Sequence, residues 1–301
     1  MVLPKRLLIP ALALGLAGCV LNADAPLASR ATRAVDLVPA DARMIAFTDG
    51  SAITGNLDLL SDLDDSGDFD EGWAQIEEVL ERAGMDLRQD LDFVVAYAAP
   101  DLEPVVTAVG RFDVNAIAGV IADEMPEARR LEGDGLTAWT LGHMAVAVSE
   151  DGTRAMAGRD VAALEAALES GGGAQIAELG GPALQAESWM ILRDVQSLRN
   201  EGGEIPQREM DLLSRAIAHL ALGGTVSSQE AAGMVVLHPA EGVEAEDLAA
   251  LVRGVVAALE LQEEMPAEVR ERLETVEVDR DGDLVVVTGS VSRNVIESFI
   301  R

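Results

Sequence analysis

The amino-acid sequence predicts an α+β protein built from two similar modules, each a mainly antiparallel sheet with helices packed on one face. Three observations lead there. Short apolar segments with strand periodicity alternate with helical ones along the chain. The glycine-rich stretch Gly171-Gly172-Gly173 to Gly180-Gly181-Pro182 interrupts that alternation near the middle. The residues on either side of it also resemble each other: Val105–Ile121 aligns without gaps on Leu284–Ile300, pairing Gly110 with Gly289, Asn115 with Asn294 and Ile117 with Ile296, and Met44-Ile45 echoes Met190-Ile191. The shared unit reads as strand, glycine, helix, the glycine permitting a sharp exit from the strand. Duplication and convergence on a common α+β turn both fit this match.

In chain order, residues 1–18 form an export signal, with Lys5 and Arg6 ahead of an apolar run from Leu7 to Leu16 and small residues before the cut. Ten apolar residues are half of the roughly 20 needed to span a bilayer. Residues 19–38 mix Ala, Asn, Asp, Pro, Ser and Thr without evident apolar periodicity and read as a tether of about 60 Å when fully extended. Module 1 covers residues 39–172. It holds strands at Met44–Phe47, Leu91–Ala98 and Pro104–Val109, a helix at Asp113–Glu124, strands at Leu136–Leu141, Met144–Ser149 and Thr153–Ala157 with an Asp151-Gly152 turn, and a helix at Asp160–Ser170. An earlier helix carries Trp73, Ile76, Leu80 and Ala83 on one face, with Asp70 placed to cap it and Gly84 to stop it.

Residues 173–184 are the glycine-rich linker, and residues 185–301 are module 2. The module contains strands at Trp189–Leu192, His219–Leu222 and Met234–His238, a helix at Ala245–Leu261, and a short helix starting at Pro266. A hairpin of Thr275–Val278 and Leu284–Thr288 turns through Arg280-Asp281-Gly282-Asp283, and the helix Ser292–Ile300 closes the chain.

Composition narrows the partners. Lys5 is the sole lysine, and without residues 1–18 the chain carries 20 basic against 53 acidic residues, a charge of −33. Such a field repels nucleic acid and anionic lipid headgroups, so neither is expected as a partner. The carboxylate excess suits a salty habitat, and the use of arginine in place of lysine suits a GC-rich genome. Three Trp, one Tyr and five Phe provide few of the aromatic faces that carbohydrate sites use.

Leu16-Ala17-Gly18-Cys19 resembles the lipobox of bacterial lipoproteins. That resemblance implies cleavage between Gly18 and Cys19, a diacylglyceryl group on the Cys19 sulfur, and usually acylation of the new amine. Several chains at about 0.8 kcal/mol per buried CH₂ would give a firm bilayer anchor. An ordinary secretory signal containing a cysteine is the alternative, but Cys19 is the sole cysteine of the chain and has no disulfide partner within it. Enteric-type lipoproteins retained in the inner membrane resemble one another in carrying Asp after the cysteine, whereas Val20 follows here. This points to the outer membrane, facing the periplasm. The body resembles uncharacterised exported bacterial proteins through its Pro39-Ala40-Asp41-Ala42 segment and the repeat, a resemblance that carries no known chemistry.

Catalytic signatures are sparse. Asp62, Asp64, Ser66 and Asp68 begin like a calcium loop, with Gly67 at the turn position, but Trp73 stands where a bidentate Glu belongs, so a solvated acidic loop is the competing reading. His143, His219 and His238 are far apart and lack zinc-site spacing. Nucleophile-elbow and phosphate-loop motifs are not found, and no other cofactor is expected. The function expected is a membrane-anchored, non-enzymatic binding or structural module with an envelope protein as possible partner. A carrier of an apolar ligand or lipid and a hydrolase without a recognisable motif are the alternatives.

Overall fold

The computed structural model describes residues 26–55, 81–99, 104–125, 127–141, 144–169, 171–193, 195, 213, 215–226, 230–260, 273 and 275–292. The export signal, the acidic loop, most of the helix after it, His143, the start of the helix at Pro266 and all of the closing helix but Ser292 lie outside them; where the helix after the loop ends, Ala83 is buried and Gly84 takes a φ of +73°. Two compact units divide between Ile176 and Ala177.

The first unit, Ser29–Ile176, opens within α1 (Pro26–Val35). The strands are β1 (Met44–Asp49), β2 (Leu91–Ala98), β3 (Val105–Gly110), β4 (Arg129–Gly133), β5 (Leu136–Leu141), β6 (Met144–Ser149) and β7 (Arg154–Gly158). Between and after them come α2 (Gly50–Gly55), α3 (Leu87–Asp90), α4 (Val114–Glu124) and α5 (Val161–Glu169). The order across the sheet is β1-β2-β3-β7-β6-β5-β4, antiparallel at every described pair. A three-strand meander is thus followed by a helix and then by a four-strand meander whose last strand returns beside β3.

Strand alternation places Ile45, Phe47, Phe93, Val95, Tyr97 and Val105 on one buried face. Phe47 and Phe93 meet there with ring centroids 5.5 Å apart, a contact that stabilises by about 1 kcal/mol beyond its area. Leu164 of α5 packs against Gly158 and Val105 on this face. Helix α4 lies on the other: Ile121 shares a cluster with Phe112, Trp139, Val148, Ala108 and Ala155. Ala108 and Val105 differ in parity along β3, so α4 and α5 cover opposite faces. This corrects the expectation of helices on one face. Both faces of the strands are rich in Ala and Val, and an apolar surface on each side calls for a cover on each side.

Helix α1 corrects the expected tether over its described part, residues 26–38. Ala31, Ala34, Val35 and Val38 are all buried, at the i, i+3, i+4, i+7 spacing of one helix face. Half of that stripe is alanine, which makes it faint beside the adjacent Arg30, Thr32 and Arg33.

The second unit is built around Ala177–Arg301. Helix α6 (Gly173–Gly180) runs into a 3₁₀ helix (Gly181–Gln185), so the residues read as a linker are folded. Strands β8 (Ser188–Leu192), β9 (Ile217–Val226) and β10 (Glu230–Pro239) form a meander. Helix α7 (Ala245–Glu260) follows, and then the hairpin of β11 (Glu277–Asp281) and β12 (Leu284–Ser292). The order β8-β9-β10-β12-β11 is antiparallel throughout, with β12 returning beside β10. Leu248, Ala249 and Val252 of α7 pack on Leu237 and Val285. The 3₁₀ helix covers the opposite face, where Ala183 lies against Gly223 and Gly181 against Val236 and Leu284.

The two units therefore share a partial element order: a three-strand meander, a helix, and then a four-strand meander in one or a hairpin in the other, whose last strand pairs with the third strand. In that order β1 takes the place of β8, although Met44 opens β1 and Met190 is the third residue of β8. The longer sequence match does not follow it, because β3 corresponds to β10 while the match sets β3 against β12. Gly110 ends β3, but Gly289 lies inside β12, in register with Gly233 and through it with Gly224. Gly289 is thus a strand-interior residue, and no exit from the strand occurs there.

Candidate functional site

Cys19, Gly18 and the calcium-loop residues Asp62, Asp64, Ser66 and Asp68 all lie outside the described residues. Three local constellations are described.

The first fastens α1 to the sheet. Asp49 ends β1 fully buried. It accepts hydrogen bonds from Arg30 Nη1 at 2.5 Å and from the backbone N–H and hydroxyl of Ser51 at 2.9 and 2.5 Å. The carboxylate thereby caps α2 and neutralises the arginine. Gly50 follows because a Cβ there would stand 2.2 Å from the Leu91 carbonyl oxygen. Beside it Arg33 lies over the Phe93 ring, 5.4 Å from its centroid, and reaches Asp92 at 3.2 Å. The Arg33–Asp92 pair is exposed and contributes about 0–1 kcal/mol; the buried Asp49 is the stronger tie.

The second is a cleft of about 600 Å³ lined by Ala83, Met85, Arg111, Phe112, Asp151 and Thr153 among others. Arg111 donates to the Gln89 carbonyl and pairs with Asp90, each at 2.8 Å. Asp113 caps α4 by accepting from the N–H groups of Asn115 and Ala116. Asp151 accepts from the Ser149 hydroxyl, the Thr153 N–H and the Thr153 hydroxyl. Those hydrogen bonds, led by Ser149, lower its pKa to about 2. Each of these carboxylates is occupied by a turn, a cap or an ion pair, and among the described residues the lining contains no histidine, cysteine or serine. The cleft can hold a small polar group; its one hydroxyl–carboxylate contact among the described lining residues, Thr153 to Asp151 at 2.8 Å, belongs to the turn.

The third joins two histidines that are distant in sequence. His219 of β9 and His238 of β10 are cross-strand partners, with ring centroids 5.9 Å apart and edge to face. His219 Nδ1 lies 3.1 Å from the Arg193 carbonyl oxygen and His238 Nε2 lies 2.8 Å from that of Leu179. Since a carbonyl only accepts, both nitrogens carry protons and donate. Burial lowers the His238 pKa. Among the described residues no group of three His, Cys, Asp or Glu is placed to hold a metal ion. Sequence spacing could not reveal this pair, because the β9–β10 register alone makes neighbours of residues 19 apart.

Among the described residues no helix is long and apolar enough to cross a membrane. No protein-family model matches the chain, and no curated protein is similar to it in sequence. Among solved structures the fold is similar to crystal form III of TP0453, with a TM-score of 0.56 and 11% identity over 88% of this chain and 96% of that one. Crystal form IV of TP0453 is similar with a TM-score of 0.52 and 11% identity over 88% and 95% of the two chains. At that identity the likeness is one of fold.

Proposed function

We propose that the protein is an envelope lipoprotein, cleaved between Gly18 and Cys19, anchored by acyl chains on Cys19, and serving through its two antiparallel units as a non-enzymatic binding body for an envelope partner. The observation that carries this reading is Leu16-Ala17-Gly18-Cys19 behind a cationic start and a short apolar run. The fold adds a geometric consequence. Seven virtual bonds separate Cys19 from Pro26, where α1 begins, and at 3.8 Å each they reach at most about 27 Å. The body is thus held nearer the bilayer than the 60 Å tether would allow. The partly shared element order supports descent by duplication, aligned β1 to β8. Val20 after the cysteine favours the outer membrane.

Growth with a fatty-acid analogue tests the anchor: wild type takes up label and Cys19→Ala does not. Equal labelling of both would refute it. Pull-down of the acylated chain from envelope extract tests the binding role, and repeated recovery of bait alone would count against it.

A further inference from the structure

The histidine pair controls more than its own two side chains. His219 and His238 stand on the face that the 3₁₀ helix covers, and the His238 ring reaches the Leu179 carbonyl just before that helix begins. A single imidazole thus joins β10 to the backbone at Leu179, while its neighbour joins β9 to the Arg193 carbonyl after β8. We propose that His238, packed edge to face with His219, is a pH-sensitive latch: neutral, it holds residues 177–185 against the sheet, and as the medium acidifies it loosens them.

The physical basis is charge in a half-buried place. Directly opposed residues of antiparallel strands keep their Cβ atoms about 5 Å apart, so while β9 and β10 stay paired the rings can move apart only by rotating about their side-chain bonds. Protonating His238 puts a cation on a half-buried ring whose centroid lies 5.9 Å from that of His219, and burial is the largest cause opposing that charge. Relief comes by turning the His238 ring toward water, which gives up the Leu179 carbonyl. The charged groups facing His238 are His219 from β9, which opposes its protonation, and Glu178 from α6, which favours it. The Leu179 hydrogen bond also favours the charged ring, yet burial outweighs both. From β12 the same face receives Leu284, and the 3₁₀ helix Gly181–Gln185 carries no titratable group. The direction follows from linkage. A histidine whose pKa is lowered on folding contributes stability that is complete above its ordinary value of 6.5 and is lost as pH falls below that value toward the lowered one.

The latch stands whether or not the chain is lipid-anchored. Its test is hydrogen exchange of the full chain in detergent, read on peptides covering residues 175–185 and corrected for the intrinsic pH dependence of exchange. Between pH 7.5 and 5.5 the opening constant of these peptides should rise by up to about tenfold per pH unit for each proton taken up on opening, while peptides of β2 and β3 stay level. In His238→Gln, whose amide can still donate to Leu179, the rise should shrink by one proton. A separate reading needs no variant: by NMR titration His238 should take up its proton below pH 6.5. Unchanged protection across that range, the same slope in wild type and His238→Gln, or titration of His238 at or above 6.5 would each overturn the proposal.

Discussion

Single residues here act chiefly by closing hydrogen-bond accounts. Asp49 is buried with three donors aimed at it, and its removal takes away a helix cap, worth about 1 kcal/mol, together with a charge-assisted bond worth about 1.5–3 kcal/mol. Because Arg30 keeps some access to water, the lower end applies. Asp49→Ala should lower unfolding stability in urea by about 2–3 kcal/mol and release α1 first, seen as faster exchange of residues 29–38. Asp151 behaves differently, being a turn carboxylate at the surface. Its pKa of about 2 means that its contribution is complete above the ordinary 3.8 and disappears as pH falls toward 2. Carboxyl ¹³C NMR should show a midpoint near 2 for Asp151, and Ser149→Ala should raise it, since that hydroxyl is the largest cause of the shift. The Asp151-Gly152 turn was legible from its dipeptide. The Asp49 cluster was not, because Arg30 and Asp49 meet only after α1 folds back on β1.

At the scale of elements, glycines distinguish the two readings of the repeat. Gly110 ends β3 where a Cβ would stand 2.1 Å from the Asp90 carbonyl oxygen. Backbone cannot give way as a side-chain tip can, so Gly110→Ala should cost about 3 kcal/mol through overpacking. Gly289 is inside β12, and its nearest neighbour to an added Cβ is Val276 Cγ2 at 3.4 Å. Gly289→Ala should therefore change stability by less than about 1 kcal/mol. Equal losses in thermal melts of the two variants would restore the equivalence of the two glycines. Elements with strong local signals were readable in sequence: Asp113 caps α4 at its expected start, and Gly282 at φ +60° turns β11 into β12. Strand β4 was missed because Arg129-Arg130-Leu131-Glu132-Gly133 carries one apolar residue and no alternation. Such charge suits the outermost strand of its unit, as it does Glu277–Asp281 of β11, where it discourages pairing with foreign strands.

For the whole molecule the dominant quantity is charge. With a net charge of −31 and arginines as nearly all its cations, the folded chain repels itself, and salt shortens that repulsion to about 3 Å at 1 M. Melting temperature should thus rise as sodium chloride is raised from 0.05 to 1 M, and a flat or falling series would show that local ion pairs such as Arg30–Asp49 outweigh the global field. Composition, the mixed α and β character and most strand positions were determined by the sequence itself, because the local elements rest on neighbours within about ten residues. Tertiary structure alone decided which face each helix covers, that residues 26–35 and 173–185 are folded, that Gly289 is interior, and that His219 faces His238. Those outcomes depend on strand register and on the return of β7 to β3 and β12 to β10, where a shift of one residue exchanges the two faces of the sheet. No local pattern encodes that choice; it is made by the simultaneous burial of both faces.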